Sequence, residues 1–144
     1  MELEAVVEIM GGQEAIGQEV RHTTDFIAIS AKGMPSKVIQ AIQDRGNFSN
    51  KDISSFLDIS ESTLQRYRKS AKTLKKDDAE KAFHLSSVLA KGISILGDEE
   101  KFNQWLNLEN KAIGGIKPIT WLNSSIGREE ILRLLNRIEY GIYS

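Results

Sequence analysis

From Ser49 to Lys69 the chain reads SNKDISSFLDISESTLQRYRK, a run whose polar side chains suit contact with nucleic acid. If Ile59, Leu64 and Tyr67 point inward, helical periodicity turns Glu61, Ser62, Gln65, Arg66 and Lys69 outward. In a major groove, glutamine pairs bidentately with adenine and arginine with guanine, while serine or threonine contacts phosphate or either base. Lys72, Lys75 and Lys76 lie just beyond and would add phosphate contacts that weaken with salt. The candidate DNA-binding set is therefore Ser60, Glu61, Ser62, Thr63, Gln65, Arg66, Lys69 and Lys72. Two residues run against this reading. Asp58 stands where glycine is usual, and Glu61 puts an acid at the groove-facing end. A helical hairpin that packs and reads nothing is the competing interpretation.

Other chemistry finds little material. The 144 residues include no cysteine, which excludes disulfides, thiol nucleophiles and thiolate metal sites. His22 and His84 stand 62 positions apart, poor stock for histidine catalysis or a zinc site. The best carboxylate pair, Glu129 with Glu139, is separated by ten residues of helix, about 15 Å, too far for joint acid–base work. Gly11-Gly12 and Gly114-Gly115 are lone pairs, not phosphate loops. No catalytic residue, metal ligand or cofactor is expected, and the chain reads as a non-enzyme.

Net charge is −1 and the sequence pI about 6.1, which argues against a nucleic-acid binder until the distribution is considered. Residues 1–30 hold six acids against Arg21 alone, whereas residues 66–81 hold seven bases against three acids. Local excess governs contact with a polyanion. A solvated helix end would show the same run. No apolar run approaches the roughly 18 residues of a membrane span, and the opening Met1-Glu2-Leu3-Glu4 is not a secretory leader. A cytoplasmic protein is expected.

The elements that must position these residues are helical. Leu3, Val6, Val7 and Met10 mark a short helix that Gly11-Gly12 ends. Thr23 to Ser30 is ambiguous between helix and strand. Pro35 is expected as the first residue of a helix with Val38, Ile39 and Ile42 inward, stopping near Arg45-Gly46-Asn47. Helices over 49–56 and 60–69 fit a helix-turn-helix, with Ile53, Leu57, Ile59, Leu64 and Tyr67 packing and Ser54 as the small crossing residue. Ser60 is placed to cap the second of them. Asp77 or Asp78 is expected to cap a long helix reaching Gly97, and Asp98 starts another with Phe102, Trp105 and Leu106 on its apolar face. Asn110–Gly115 is a turn, Pro118 opens one helical turn with Trp121 and Leu122, and the last helix runs to the end of the chain. His84 is expected as a partly exposed residue near a helix start, and Glu129 with Arg133 as a surface pair. The fold class is mostly all-α: a helix-turn-helix domain, then a small helical C-terminal domain, dividing near Lys72–Asp78.

The last residues are unusual for a chain end. Arg137-Ile138-Glu139-Tyr140-Gly141-Ile142-Tyr143-Ser144 keeps aromatic and aliphatic side chains where polar, fraying ends are common. Such a tail either tucks into its own core or anchors a partner. With Asn110-x-Ala112-Ile113-Gly114-Gly115-x-x-Pro118, this segment resembles the Xre/MbcA/ParS-like antitoxins, partners of RES-domain toxins. Gly33-Met34-Pro35, Leu57-Asp58-Ile59-Ser60, Thr63-Leu64-Gln65-Arg66 and Gly97-Asp98-x-Glu100-x-Phe102-x-x-Trp105-Leu106 are similar to the rest of that family, so the resemblance covers roughly residues 30–144. Ile113 stands where the family mostly has leucine, and Lys111 where proline is frequent.

The resemblance implies a two-part antitoxin, an Xre-like helix-turn-helix domain over 33–76 and a toxin-binding domain over 77–144, after a 1–32 extension without an assigned role. The first part after the extension would bind operator DNA and repress the operon. The second would cover the active site of a NAD-consuming toxin, with Arg137, Glu139, Tyr140, Gly141, Ile142, Tyr143 and Ser144 at the contact. Palindromic operators are read by dimers, so a homodimer is expected. A stand-alone dimeric helix-turn-helix regulator is the alternative.

Overall fold

One long helix, α7 (Lys76–Leu96), organises the computed structural model, which describes residues 2–70 and 72–141. Its buried Leu85, Val88 and Leu89 run down the middle of the core. Against it pack α1 (Glu2–Ile9), α3 (Asp25–Lys32), α4 (Val38–Gly46), α5 (Asn50–Leu57), α8 (Glu99–Leu106) and α9 (Ser125–Glu139). Two further helices complete the described α elements: α2 (Gly12–Ile16) and α6 (Glu61–Lys69). The expected mostly α class is what is found, with a two-stranded sheet added among the described residues. No helix among the described residues is long and apolar enough to cross a membrane.

Local physics explains where the elements depart from expectation. The first helix ends before Gly11-Gly12 as expected, but a second short helix, α2, follows at once from Gly12, pinned by buried Ile16. The ambiguous Thr23–Ser30 segment is helical, because Phe26, Ile29 and Ser30 bury at a helical rather than an alternating period. Asp25 supports this helix from its start, accepting hydrogen bonds from the Arg21 and His22 amides at 2.9 and 3.0 Å. Those bonds hold its carboxyl below the usual carboxylate range.

Pro35 does not open a helix. It lies in β1 (Met34–Pro35), antiparallel to β2 (Thr73–Leu74), with Met34 facing Leu74 and Pro35 facing Thr73. The extended backbone drops Met34 into the core, and α4 begins only at Val38. Neither aspartate caps α7. Lys75 occupies the N-cap, and Asp77 and Asp78 sit in the first turn, where the helix dipole favours acids. The final helix does not run to the chain end either: α9 stops at Glu139, with Tyr140 as its C-cap and Gly141 at φ 72°.

A single apolar cluster extends from Val6 and Ile9 of α1 through Ile39, Ile53 and Leu64 to Ile131 and Leu135 of α9. The described residues of the three expected parts therefore share one core, and α7 supplies its centre.

Candidate functional site

Local capping positions the helix-turn-helix. Ser49 and Asp52 form a reciprocal capping box that starts α5. Asp58 ends α5 in the left-handed region at φ 52°, the conformation that glycine supplies at lower cost. Ser54, buried at the crossing, donates its hydroxyl to Ile59 O at 2.5 Å and so ties α5 to the turn. Ser60 caps α6 by accepting from Thr63 N at 3.0 Å. Leu64 and Tyr67 face the core. The Tyr67 hydroxyl donates to buried Asp78 at 2.6 Å and accepts from Lys75 N at 3.2 Å, fastening α6 to the start of α7. Burial and the Asp78 hydrogen bond push its phenol above the usual range.

This geometry leaves Ser60, Glu61, Ser62, Gln65, Arg66, Lys69 and Lys72 exposed, with Thr63 half-buried between them. Arg66 donates to Thr63 Oγ1 at 2.9 Å, and Ser60 donates to the same oxygen at 3.0 Å. Arg68 does not join this face, because its guanidinium is held by Gln40 and Gln43 of α4. The sequence did not reveal an open recess of about 470 Å³ beside α6, where Thr73 and Lys75 meet Arg66, Lys69 and Lys72. It forms because β2 folds back beside α6, a contact that helical periodicity does not encode.

The C-terminal elements are built with equal economy. Asn110 closes its turn three ways: its amide donates to Ile116 O, its carbonyl accepts from Gly115 N, and its side chain accepts from Ala112 N, all at 2.8–2.9 Å. Leu108 and Ile116 flank this turn on the surface. Ser124 caps α9, and Gly127 lets α9 pass beside the preceding turn, since a Cβ there would sit 2.1 Å from Trp121 O. Arg128 is buried, donating to His84 Nδ1 at 3.0 Å, Leu122 O at 2.8 Å and Phe56 O at 3.5 Å.

Two expectations change here. His84 is no helix-start residue but an acceptor for Arg128 well inside α7, and burial, then the Arg128 charge, hold its pKa below the ordinary histidine value. Arg133 pairs with Glu130 rather than Glu129, the i,i+3 neighbour being within reach on the same face. At the end of α9, Glu139 is engaged by Lys91 of α7 at 3.2 Å, while Arg137, Tyr140 and Gly141 are exposed. Tyr140 is 75% exposed and so not tucked into the core. Ile142, Tyr143 and Ser144 lie outside the described residues. Among the described residues no group of three or more His, Asp or Glu side chains could hold a metal ion.

Comparison with known proteins assigns both regions. Residues 25–87 match the antitoxin Xre-like helix-turn-helix domain, and residues 91–141 match the antitoxin Xre/MbcA/ParS C-terminal toxin-binding domain. The chain is 25% identical over 118 residues to antitoxin Xre of Photorhabdus laumondii subsp. laumondii, covering 81% of this chain and 80% of that protein. The fold is similar to a chain in the crystal structure of the M. tuberculosis MbcT–MbcA toxin–antitoxin complex, with TM-score 0.57 at 14% identity, over 76% of this chain and 96% of that one. Both matched regions meet within α7 in the order expected from the sequence, and the chain belongs to the Xre/MbcA/ParS antitoxin family.

Proposed function

We propose that this antitoxin neutralises a RES-domain, NAD-consuming toxin by covering its active site, and that it binds operator DNA to repress its own operon. It does so in the cytoplasm, as a homodimer whose two α6 helices read a symmetric operator. DNA contact falls to Ser60, Glu61, Ser62, Thr63, Gln65, Arg66, Lys69 and Lys72, and toxin contact to Arg137, Glu139, Tyr140, Gly141, Ile142, Tyr143 and Ser144.

The observation that carries the reading is exposed Tyr140 at the end of α9, beside exposed Arg137, in the region that matches a toxin-binding domain. A pocket that takes NAD accepts a flat, polar, stacking ligand, and an aromatic ring with a guanidinium nearby offers that chemistry. Lys91 of α7 pairs with Glu139 in the same last turn of α9. On α6, outward polar side chains on a capped helix support operator binding.

Growth rescue tests the proposal. The gene beside this one is expressed alone, with the full chain, and with the chain lacking residues 137–144. Arrest by the neighbour, relief by the full chain and none by the truncation is the expected pattern. A harmless neighbour, or a full chain that gives no relief, removes the toxin reading and leaves a stand-alone regulator.

A further inference from the structure

We propose that the recess beside α6 seats one backbone phosphate of the bound DNA, and that Arg66 holds this phosphate instead of reading a base. The inference rests on the operator-binding reading and divides the labour within it.

Four cations, Arg66, Lys69, Lys72 and Lys75, line the recess together with the Thr73 hydroxyl, and no carboxylate lines it. None of the four forms an ion pair among the described residues. A helix end attracts bases to its last turn, which accounts for Arg66 and Lys69. It does not account for Lys72 and Lys75, which flank β2 and arrive from a different part of the backbone. Cations gathered into one concavity repel one another until an anion joins them, and a phosphodiester is the anion a helix-turn-helix meets beside its second helix.

The orientation of Arg66 fits the same assignment. Its guanidinium donates to Thr63 Oγ1 at 2.9 Å, which draws it along α6 toward the recess wall that Thr63 also lines. Gln65 points about 100° away around the helix, is exposed, and does not line the recess. Base reading then falls to Gln65 with Ser62 and Glu61, and register on the backbone falls to the recess.

Binding is measured by fluorescence anisotropy with the full chain across a series of KCl concentrations. The probes are a duplex of the DNA upstream of its own gene and a shuffled duplex of the same composition. Arg66→Ala is expected to weaken both duplexes by the same factor, and Arg66→Lys, which keeps the charge but loses the fork, to preserve the preference between them. Emptying the seat with Arg66→Ala, Lys72→Ala and Lys75→Ala together lowers the log–log salt slope by about 0.9, the value for one phosphate. Gln65→Ala, by contrast, weakens the upstream duplex more than the shuffled one and leaves the slope unchanged. All four positions are exposed, and circular dichroism checks that the variants fold. The assignment falls if Arg66→Lys erases the preference, which makes Arg66 a base reader, or if the triple variant keeps the wild-type slope. A wild-type chain that binds neither duplex removes the operator reading itself and this assignment with it, a result visible before any variant is made.

Discussion

Arg128→Met removes the guanidinium that joins α5, α7 and α9 while keeping much of its apolar stem. Three acceptors lose their donor: Leu122 O at 2.8 Å, His84 Nδ1 at 3.0 Å and Phe56 O at 3.5 Å. The third lies at the outer limit of a hydrogen bond and counts for little. Bonds from a charged donor contribute about 1.5–3 kcal/mol each, net of the water both partners lose. Two of them amount to about 3–6 kcal/mol. Methionine returns part of this by packing, so the expected loss is about 2–4 kcal/mol. For a chain of this size that lowers the melting temperature by roughly 5–15 °C. Urea unfolding at pH 7.5 measures the free energy, and an unchanged m-value shows that the denatured state is the same. Amide exchange should rise in α7 as well as α9, because the guanidinium joins His84 to Leu122 O. The opposing effect is desolvation, which burial imposes on a cation and which also pulls the Arg128 pKa below its ordinary value. A variant as stable as the wild type, or more so, would mean that desolvation outweighs the hydrogen bonds and that this accounting is wrong.

Three further outcomes are expected. The His84 pKa is depressed from 6.5 in the folded state, so the unfolded chain takes the proton first; stability is full above about pH 6.5 and declines as pH falls toward the folded value. Urea midpoints at pH 7.5 and 5.5 reveal that slope, and His84→Gln should flatten it. Gly127→Ala should destabilise by about 3 kcal/mol, because its Cβ meets Trp121 backbone oxygen rather than a side chain that can swing away; at Gly114, where the same Cβ meets open space, only the left-handed strain of about 1–2 kcal/mol remains, and paired thermal melts compare the two. Tyr67→Phe takes the hydroxyl from buried Asp78 and should lower urea stability by about 1–3 kcal/mol.

The parts of the fold legible in the sequence are those decided within one turn of helix. Ser60 and Asp98 cap the helices they precede, and the Ile53, Leu57 and Leu64 spacing finds the inner face of the helix-turn-helix. What stayed hidden depends on segments distant in the chain. Pro35 reads locally as a helix start, but its strand is set by pairing with Thr73. Asp78 reads as a cap, but it buries because Tyr67 offers it a donor. Arg128 shows the limit most sharply, since an arginine on an amphipathic helix looks like a surface residue. Only the folded chain supplies the carbonyls of residues 56 and 122 that let it go inside. The candidate DNA face was legible because it follows helical spacing; the recess next to it was not, because β2 completes it.

The shared helix at the centre of the core has a consequence for lifetime. The helix-turn-helix and α9 draw on one apolar core with α7 at its centre, so opening either exposes part of the same core. A ligand held at one end stabilises the whole chain by RT ln(1 + [L]/Kd), about 2.7 kcal/mol at a hundredfold excess over Kd. A protease that cuts the opened chain at either end would then find roughly a hundredfold less of it. Under the proposed function, toxin bound to the C-terminal region would thus prolong the survival of the helix-turn-helix as well, and the amount of chain available to DNA would follow the supply of toxin through turnover.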